Sequence, residues 1–294
     1  MSDRGTAAAW LNGDALGRLH PEVRGVLEEY AVQVHEAGLT SIRGFFLYGS
    51  IAMGGYTPNR SDIDFVALLE RALNSEESGR LAAIHRNVGR ERPSPEMNGI
   101  YVTRDRLGKL PHEISPYPCY YGGRFHEADW FECNLVTWHQ LKKQGIALYG
   151  SMRELDYEVD WDRLLSRMRE NVAAYWRPWV TESAKLYSRK GMALYARSAV
   201  EWGVLGLTRL YYTFRENEIT TKAGAGAYAL EQLPASRHPI VIEALRWRSG
   251  ESSLYRSASA RRQDALDYLH DMLAACESAA EEAARRRLPP SPPM

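Results

Sequence analysis

A mixed α/β domain followed by an all-α helical bundle is the fold predicted for this 294-residue chain. Three observations carry that prediction. In the first half, short apolar runs such as Phe45-Phe46-Leu47-Tyr48 and Phe65-Val66-Ala67-Leu68-Leu69 read as buried strands and are interleaved with amphipathic helical segments. A turn-rich stretch from Gly49 to Asp64 joins these two runs. From Trp161 onward the pattern changes to long segments of 3.6-residue period. The length suits two domains of ordinary size, placed at residues 20–151 and 160–287. The proline-rich tail at 288–294 cannot continue a helix and is expected to be disordered.

Taken in order, residues 1–18 are expected to hold a short helix or a loose lead. Pro21 to Ala37 follows as an amphipathic helix: Val23, Val26, Leu27, Tyr30, Ala31 and Val34 recur at helical spacing, and Gly38 stops it. After the strand Phe65–Leu69 comes a polar helix over about 75–90, then a strand candidate at Met97–Val102. Residues 111–129, rich in Pro, Tyr, Gly and His, read as an irregular loop. Phe131 to Val136 reads as the last strand and Trp138 to Gln144 as a helix stopped by Gly145. Met152 to Asp160 reads as a linker. The bundle helices are expected at Trp161–Val180, Lys190–Glu216, Lys222–Gln232, Pro239–Ser249 and Ala258–Arg287.

Composition narrows the function classes. Hydrophobic residues make up 45% and charged residues 25%, as in ordinary soluble globular chains. Lys+Arg and Asp+Glu both count 37, so no global basic field favours a nucleic-acid partner. No apolar run approaches a membrane span, and Met1 to Gly13 lacks the pattern of a secretory signal. Cys119, Cys133 and Cys276 form an odd set without metal spacing, expected as buried thiols in a reducing cytoplasm.

The chemistry concentrates between the first two strands. Asp62 and Asp64 are two residues apart, so on a strand they share a face. Two carboxylates there repel, and burying both unpaired is costly. A divalent cation resolves the conflict, and oxygen-only ligands favour magnesium or manganese. Gly49 permits close backbone approach, and Ser50 adds a hydroxyl and an N–H suited to an anion. A metal-binding carboxylate pair beside an anion-binding turn is equipment for phosphoryl or nucleotidyl transfer.

Gly-Ser, a spacer, then Ser-Asp-Ile-Asp resembles the signature of the DNA-polymerase-beta-like nucleotidyltransferase superfamily. The fuller stretch L-Y-G-S-I-A-M-G-G-Y-T-P-N-R-S-D-I-D-F is similar to the aminoglycoside adenylyltransferases that modify streptomycin and spectinomycin. The likeness continues through Leu207-Thr208-Arg209-Leu210-Tyr211-Tyr212-Thr213, Ile219-Thr220-Thr221-Lys222-Ala223 and His238-Pro239-Ile240, spanning roughly residues 25 to 275. It implies a nucleotidyltransferase domain followed by a helical domain, with ATP and magnesium bound in a cleft. It implies that Asp62 and Asp64 hold the metal. Gly49, Ser50 and Ser61 would meet the triphosphate, joined by Lys222 and Arg209 and, more loosely aligned, Arg248. The implied acceptor is a hydroxyl of a small aminoglycoside-like molecule.

Two departures from the family pattern stand out. Asn98 occupies the position where the family carries a catalytic Glu on the next strand, and a neutral amide is no base near neutral pH. Glu96, two residues earlier on the same face, is the catalytic candidate in its place, and Glu132 is a second. Otherwise another group supplies the base, the acceptor hydroxyl needs little help, or the enzyme is slow or inactive. On the acceptor side, Tyr195 and Ala199 stand where relatives carry acids that hold a cationic drug, with Glu182, Glu201 and Glu216 left to supply another arrangement. Two rivals remain open from sequence: an enzyme that adenylylates a protein, which the large bundle disfavours, and a nucleotide-binding pseudoenzyme, motivated by Asn98.

Overall fold

The structure, a computed structural model, describes residues 10–287. The tail expected to be disordered at 288–294 lies outside the described residues, as do residues 1–9 of the lead segment. The chain divides into two compact units between Val159 and Asp160.

The first unit runs α1 (Gly13–Gly17), α2 (Pro21–Glu36), β1 (Ile42–Leu47), α3 (Gly49–Ala52), β2 (Ile63–Leu69), α4 (Ser75–Glu91) and β3 (Met97–Thr103). It continues through β4 (Tyr117–Tyr121), β5 (Arg124–Asp129), α5 (Leu135–Gln144) and β6 (Ile146–Tyr149). The six strands form one sheet in the order β5-β4-β3-β2-β1-β6. Only β2 and β3 are parallel among these pairs; β1–β2, β1–β6, β3–β4 and β4–β5 are antiparallel. A parallel pair needs a long crossover, and α4 supplies it. Its start is fixed by a capping box, in which Asn74 accepts from the Glu77 amide and Glu77 reaches back to the Asn74 amide.

One sheet face packs against the helices α2 and α4. Phe45 and Leu47 of β1, Ile63, Phe65 and Ala67 of β2, and Met97 and Tyr101 of β3 pack with Val26, Leu27 and Tyr30 of α2 and Leu81, Ile84 and Val88 of α4. Strand alternation therefore turns Asp64 and Asn98 to the opposite face. Phe65 lies at the centre, stacked on Phe45 with ring centroids 4.8 Å apart. A Cβ at Gly99 would lie 2.4 Å from its ring, so only glycine fits beneath it.

A polar chain crosses this core. His85 Nε2 and the Tyr101 hydroxyl are 2.7 Å apart, and the Tyr101 and Tyr30 hydroxyls are 2.7 Å apart. The imidazole is stacked on Tyr120 at 4.0 Å. Burial pushes the His85 pKa down to about 3, because a charged ring there would lose its water without gaining an acid.

Two expectations fail in this unit. The segment read as an irregular loop contains a hairpin, β4 and β5, closed by Gly122 and Gly123 at φ 57° and 69°. The strand expected over 131–136 does not form. Glu132 takes a left-handed conformation at φ 56°, and the Asn134 side chain accepts from the Thr137 amide, starting α5 at Leu135.

The second unit comprises α6 (Trp161–Asn171), a π turn (Val172–Trp176), α7 (Arg177–Ala184), α8 (Arg189–Ala193), α9 (Arg197–Glu216), α10 (Lys222–Gln232), α11 (His238–Arg248) and α12 (Ala258–Arg287). The single helix expected over 161–180 is interrupted by the π turn, and the one expected over 190–216 breaks at Leu194–Ala196. Trp176 and Trp179 lie against α9, where Gly206 and Gly203 leave room: a Cβ at either would sit 2.6 and 3.0 Å from those indoles. Trp202 of α9 stacks on Trp176 at 4.7 Å. Buried Glu243 of α11 accepts from Arg197 Nε at 2.6 Å, Ser253 Oγ at 2.8 Å and the Leu254 amide at 2.8 Å, tying the 251–255 loop to the bundle. Among the described residues no helix is long and apolar enough to cross a membrane. Cys119, Cys133 and Cys276 are free and buried.

The buried imidazole makes stability depend on pH. Unfolded His85 takes up a proton near pH 6.5, whereas the folded ring refuses it until about 3. Its contribution is complete above 6.5 and is lost as pH falls below that value, at about 1.4 kcal/mol per pH unit. Between pH 6.5 and 5 the wild-type protein should lose about 2 kcal/mol more than His85→Gln does, as read by urea melts of both at each pH.

Candidate active site

Gly49, at φ 67°, opens the short helix α3 directly after β1. The Tyr48 amide just before it donates to the Asp64 carbonyl at 3.1 Å, which holds the turn against β2. A Cβ at Gly49 would lie 2.3 Å from Asp64 Oδ2. The Asp64 carboxylate therefore occupies the space that any other residue's side chain would need, and the positive φ independently favours glycine. Ser50 follows, half-buried, with its carbonyl accepting from the Gly55 amide at 2.7 Å.

Ile63 and Phe65 point into the core, so Asp64 between them alternates to the other face, and Asp62 lies just before the strand that the sequence expected it to open. Asp62 is exposed and Asp64 half-buried. Ser61, buried beside them, accepts from the Thr57 amide at 3.0 Å, closing the loop that leads into β2. Its hydroxyl proton is still able to donate.

Asn98 is the register partner of Asp64 on the parallel strand β3. Its Oδ1 is buried and accepts no hydrogen bond. A buried carbonyl oxygen without a donor is costly, and one beside a half-buried carboxylate fits a cation. The donor set is all oxygen, as magnesium or manganese requires. Among the described residues no group of three or more His, Cys, Asp or Glu is placed to hold an ion. A divalent ion on Asp62 and Asp64 would thus complete its shell from Asn98, water or substrate oxygens.

The acids read as substitutes for the missing Glu have different surroundings. Glu96 Oε1 accepts from the Gly123 amide at 2.6 Å, in the turn of the β4–β5 hairpin. Glu132 accepts from the Thr137 hydroxyl and from Asn134 Nδ2 at 3.3 Å. Its charge converges with that of Asp64 on the buried Tyr48 phenol, whose pKa is raised by burial first, then by Glu132 and Asp64. The hairpin at 117–129 and the turn that aims Glu132 were missed in the sequence. Gly122-Gly123 between Tyr120-Tyr121 and Arg124-Phe125 was the available signal, a two-residue turn of the kind hairpins prefer.

In the helical unit, Thr221 caps α10 by accepting from the Gly224 amide at 3.0 Å, which makes Lys222 its first residue. Lys222 Nζ lies 3.3 and 3.4 Å from the two Glu201 oxygens, and Arg248 Nη1 donates to Glu201 Oε1 at 2.7 Å. Burial lowers the Lys222 pKa, as do Arg248 and Arg209, while Glu201 raises it. Lys222 and Arg248 share the one Glu201 carboxylate, and Arg209 lies near enough to act on Lys222, which groups cationic donors suited to phosphate oxygens.

The acids offered for a cationic acceptor are engaged elsewhere. Glu182 pairs with Lys185 at 2.8 Å, Glu216 accepts from the Tyr228 hydroxyl at 2.5 Å, and Glu201 holds Lys222 and Arg248. At the positions where relatives carry acids, the Tyr195 ring lies under the Arg262 guanidinium at 5.5 Å, and its carbonyl accepts from Arg261 Nη2 at 2.5 Å.

Residues 33–116 match the nucleotidyltransferase domain, and residues 170–275 match the aminoglycoside adenylyltransferase C-terminal domain. No curated protein matches the chain in sequence. Among solved structures, it is similar to the crystal structure of spectinomycin adenyltransferase AAD(9) from Enterococcus faecialis with ATP and spectinomycin. The two are 14% identical with a TM-score of 0.61, over 85% of this chain and 98% of that one. At that identity the likeness is one of fold. The two domain matches, in this order along a chain of that fold, make the protein a nucleotidyltransferase of the aminoglycoside adenylyltransferase family.

Proposed function

We propose that this protein transfers AMP from ATP to a hydroxyl of a small aminoglycoside-like acceptor, with magnesium as its metal. The observation that carries the reading is the Asp64 carboxylate, seated where a Gly49 Cβ would be and flanked by the donorless Asn98 oxygen. The nucleotidyltransferase match supports the reaction class, and the C-terminal domain match supports the acceptor class. The similar enzyme crystallised with ATP and spectinomycin supports ATP as donor.

Asp62 and Asp64 are the residues that would hold the ion, which when bound supplies Lewis-acid stabilisation of charge on the phosphoryl oxygens. The hydroxyls of Ser50 and Ser61 donate to the triphosphate, and Gly49 keeps the backbone close to it. Lys222 and Arg209 contribute cationic contacts to phosphate oxygens. The acceptor oxygen attacks the α-phosphorus in line. An O–P bond forms, the bond to pyrophosphate breaks, and the hydroxyl proton passes to a carboxylate. Asn98 has no basic atom for that proton, and Glu96 is tied to the β4–β5 turn. Glu132, whose charge meets that of Asp64 at Tyr48, is the acceptor of the proton in this reading.

A panel of hydroxylated aminoglycosides and aminocyclitols with magnesium-ATP should yield pyrophosphate and an adenylylated product by mass spectrometry for at least one member. No pyrophosphate with any of them overturns the reading. Asp64→Asn should lower kcat/KM by about 10³-fold or more, several kcal/mol of lost charge stabilisation. Glu132→Gln should lower kcat by about 10²–10⁴-fold, with ATP affinity unchanged. Glu96→Gln should stay within about threefold of wild type; the reverse ranking would move the base to Glu96.

A further inference from the structure

Glu201 is a buried carboxylate on α9, and its two near partners come from other helices: Lys222 begins α10 and Arg248 ends α11. Arg248 is itself buried, and its Nε–H has no acceptor. An acid with two cations and an unused guanidinium donor is more than an ion pair needs for its own satisfaction. The surplus is donor capacity, which an anionic oxygen would fill.

We infer that Glu201 is a positioning residue for nucleotide binding, fixing the Lys222 ammonium and the Arg248 guanidinium side by side as joint donors to phosphate oxygens. This rests on the proposed function, in which Lys222 contacts the nucleotide, and adds the residue that makes Lys222 competent.

The charged groups acting on Lys222 are Glu201 and Arg209 from α9 and Arg248 from α11. Burial and the two guanidiniums favour the neutral amine, which cannot serve as a cationic donor; Glu201 works against them. Without Glu201, Lys222 would shed its proton at lower pH, and nucleotide affinity would fall with it. A purely structural ion pair would instead weaken binding evenly at all pH values, through misfolding or misplacement.

The test measures the Kd of magnesium-ATP for the full chain from pH 6.5 to 8.5 by calorimetry. For Glu201→Gln, affinity should be about tenfold weaker at pH 8.5 than at pH 6.5, while wild type stays nearly flat. Adding Lys222→Arg to Glu201→Gln should abolish that slope, because a guanidinium keeps its proton without help. Glu201→Asp preserves the charge and is the variant that decides if Glu201→Gln does not fold. Its oxygens fall short of both cations, so it should bind about threefold more weakly at pH 8.5 than at pH 6.5, a smaller slope of the same sign. A Glu201→Gln curve equal to wild type overturns the inference. So does a uniform loss that Lys222→Arg fails to restore, or a Glu201→Asp protein with wild-type affinity. Wild-type protein that binds no magnesium-ATP overturns the proposed function itself, which keeps the two failures distinct.

Discussion

Asp64 and Gly49 share one small volume, and that shared volume sets the geometry of the first unit. The carboxylate stands where a side chain on residue 49 would be, and the backbone there adopts φ 67°. The Tyr48 amide closes the same junction on the Asp64 carbonyl. The turn after β1 is thereby locked to the start of β2, and β2 in turn fixes β3 by parallel register, which brings Asn98 level with Asp64. The core on the other face holds that register. Phe65 is wedged between Phe45 and the bare Cα of Gly99, so a one-residue slip would carry Phe65 to the opposite face and Asp64 among these aromatic rings. The Asp64 carboxylate thus sits at the start of a strand whose other residues are buried on both faces.

Loops complete what the strands begin. Glu132 reaches the neighbourhood of Tyr48 because its backbone turns left-handed just before α5, and Thr137 and Asn134 then hold its carboxylate. Glu96 leaves the strand edge for the β4–β5 turn, whose two glycines free the amide that it accepts from. In the proposed reaction, the carboxylate missing at residue 98 is supplied by a group far away in sequence and not by the adjacent acid. A carboxylate held by hydroxyl and amide donors keeps lone pairs for a further proton.

The helical unit spends its acids on its own cations. Glu201 and Glu243 are both buried, and each is bracketed by basic side chains from other helices or by loop amides. Buried ion pairs contribute little net stability, but removing one member leaves an uncompensated charge, so these arrangements constrain which helices can sit together. The aromatic wedge of Trp176 and Trp179 on Gly206 and Gly203 does the same by shape. The outcome is a corner rich in cations around Lys222, while the segment carrying Tyr195 is held by Arg261 and Arg262.

The sequence by itself determined the elements whose signal is local. Helical periodicity placed α2, α4, α10 and α12, apolar runs placed β1 to β3, and spacing alone put Asp62 and Asp64 on one face beside a glycine turn. It did not place the hairpin at 117–129, because aromatic, proline and glycine residues obscure the alternation there. Nor did it place the left-handed turn at Glu132, whose conformation is imposed by the helix cap that follows it. The partners of its charged residues were equally hidden. Glu201 finds Arg248 across 47 residues and Glu96 finds Gly123 across 27. Such pairings follow from which surfaces the core brings together, and only the tertiary structure decided them.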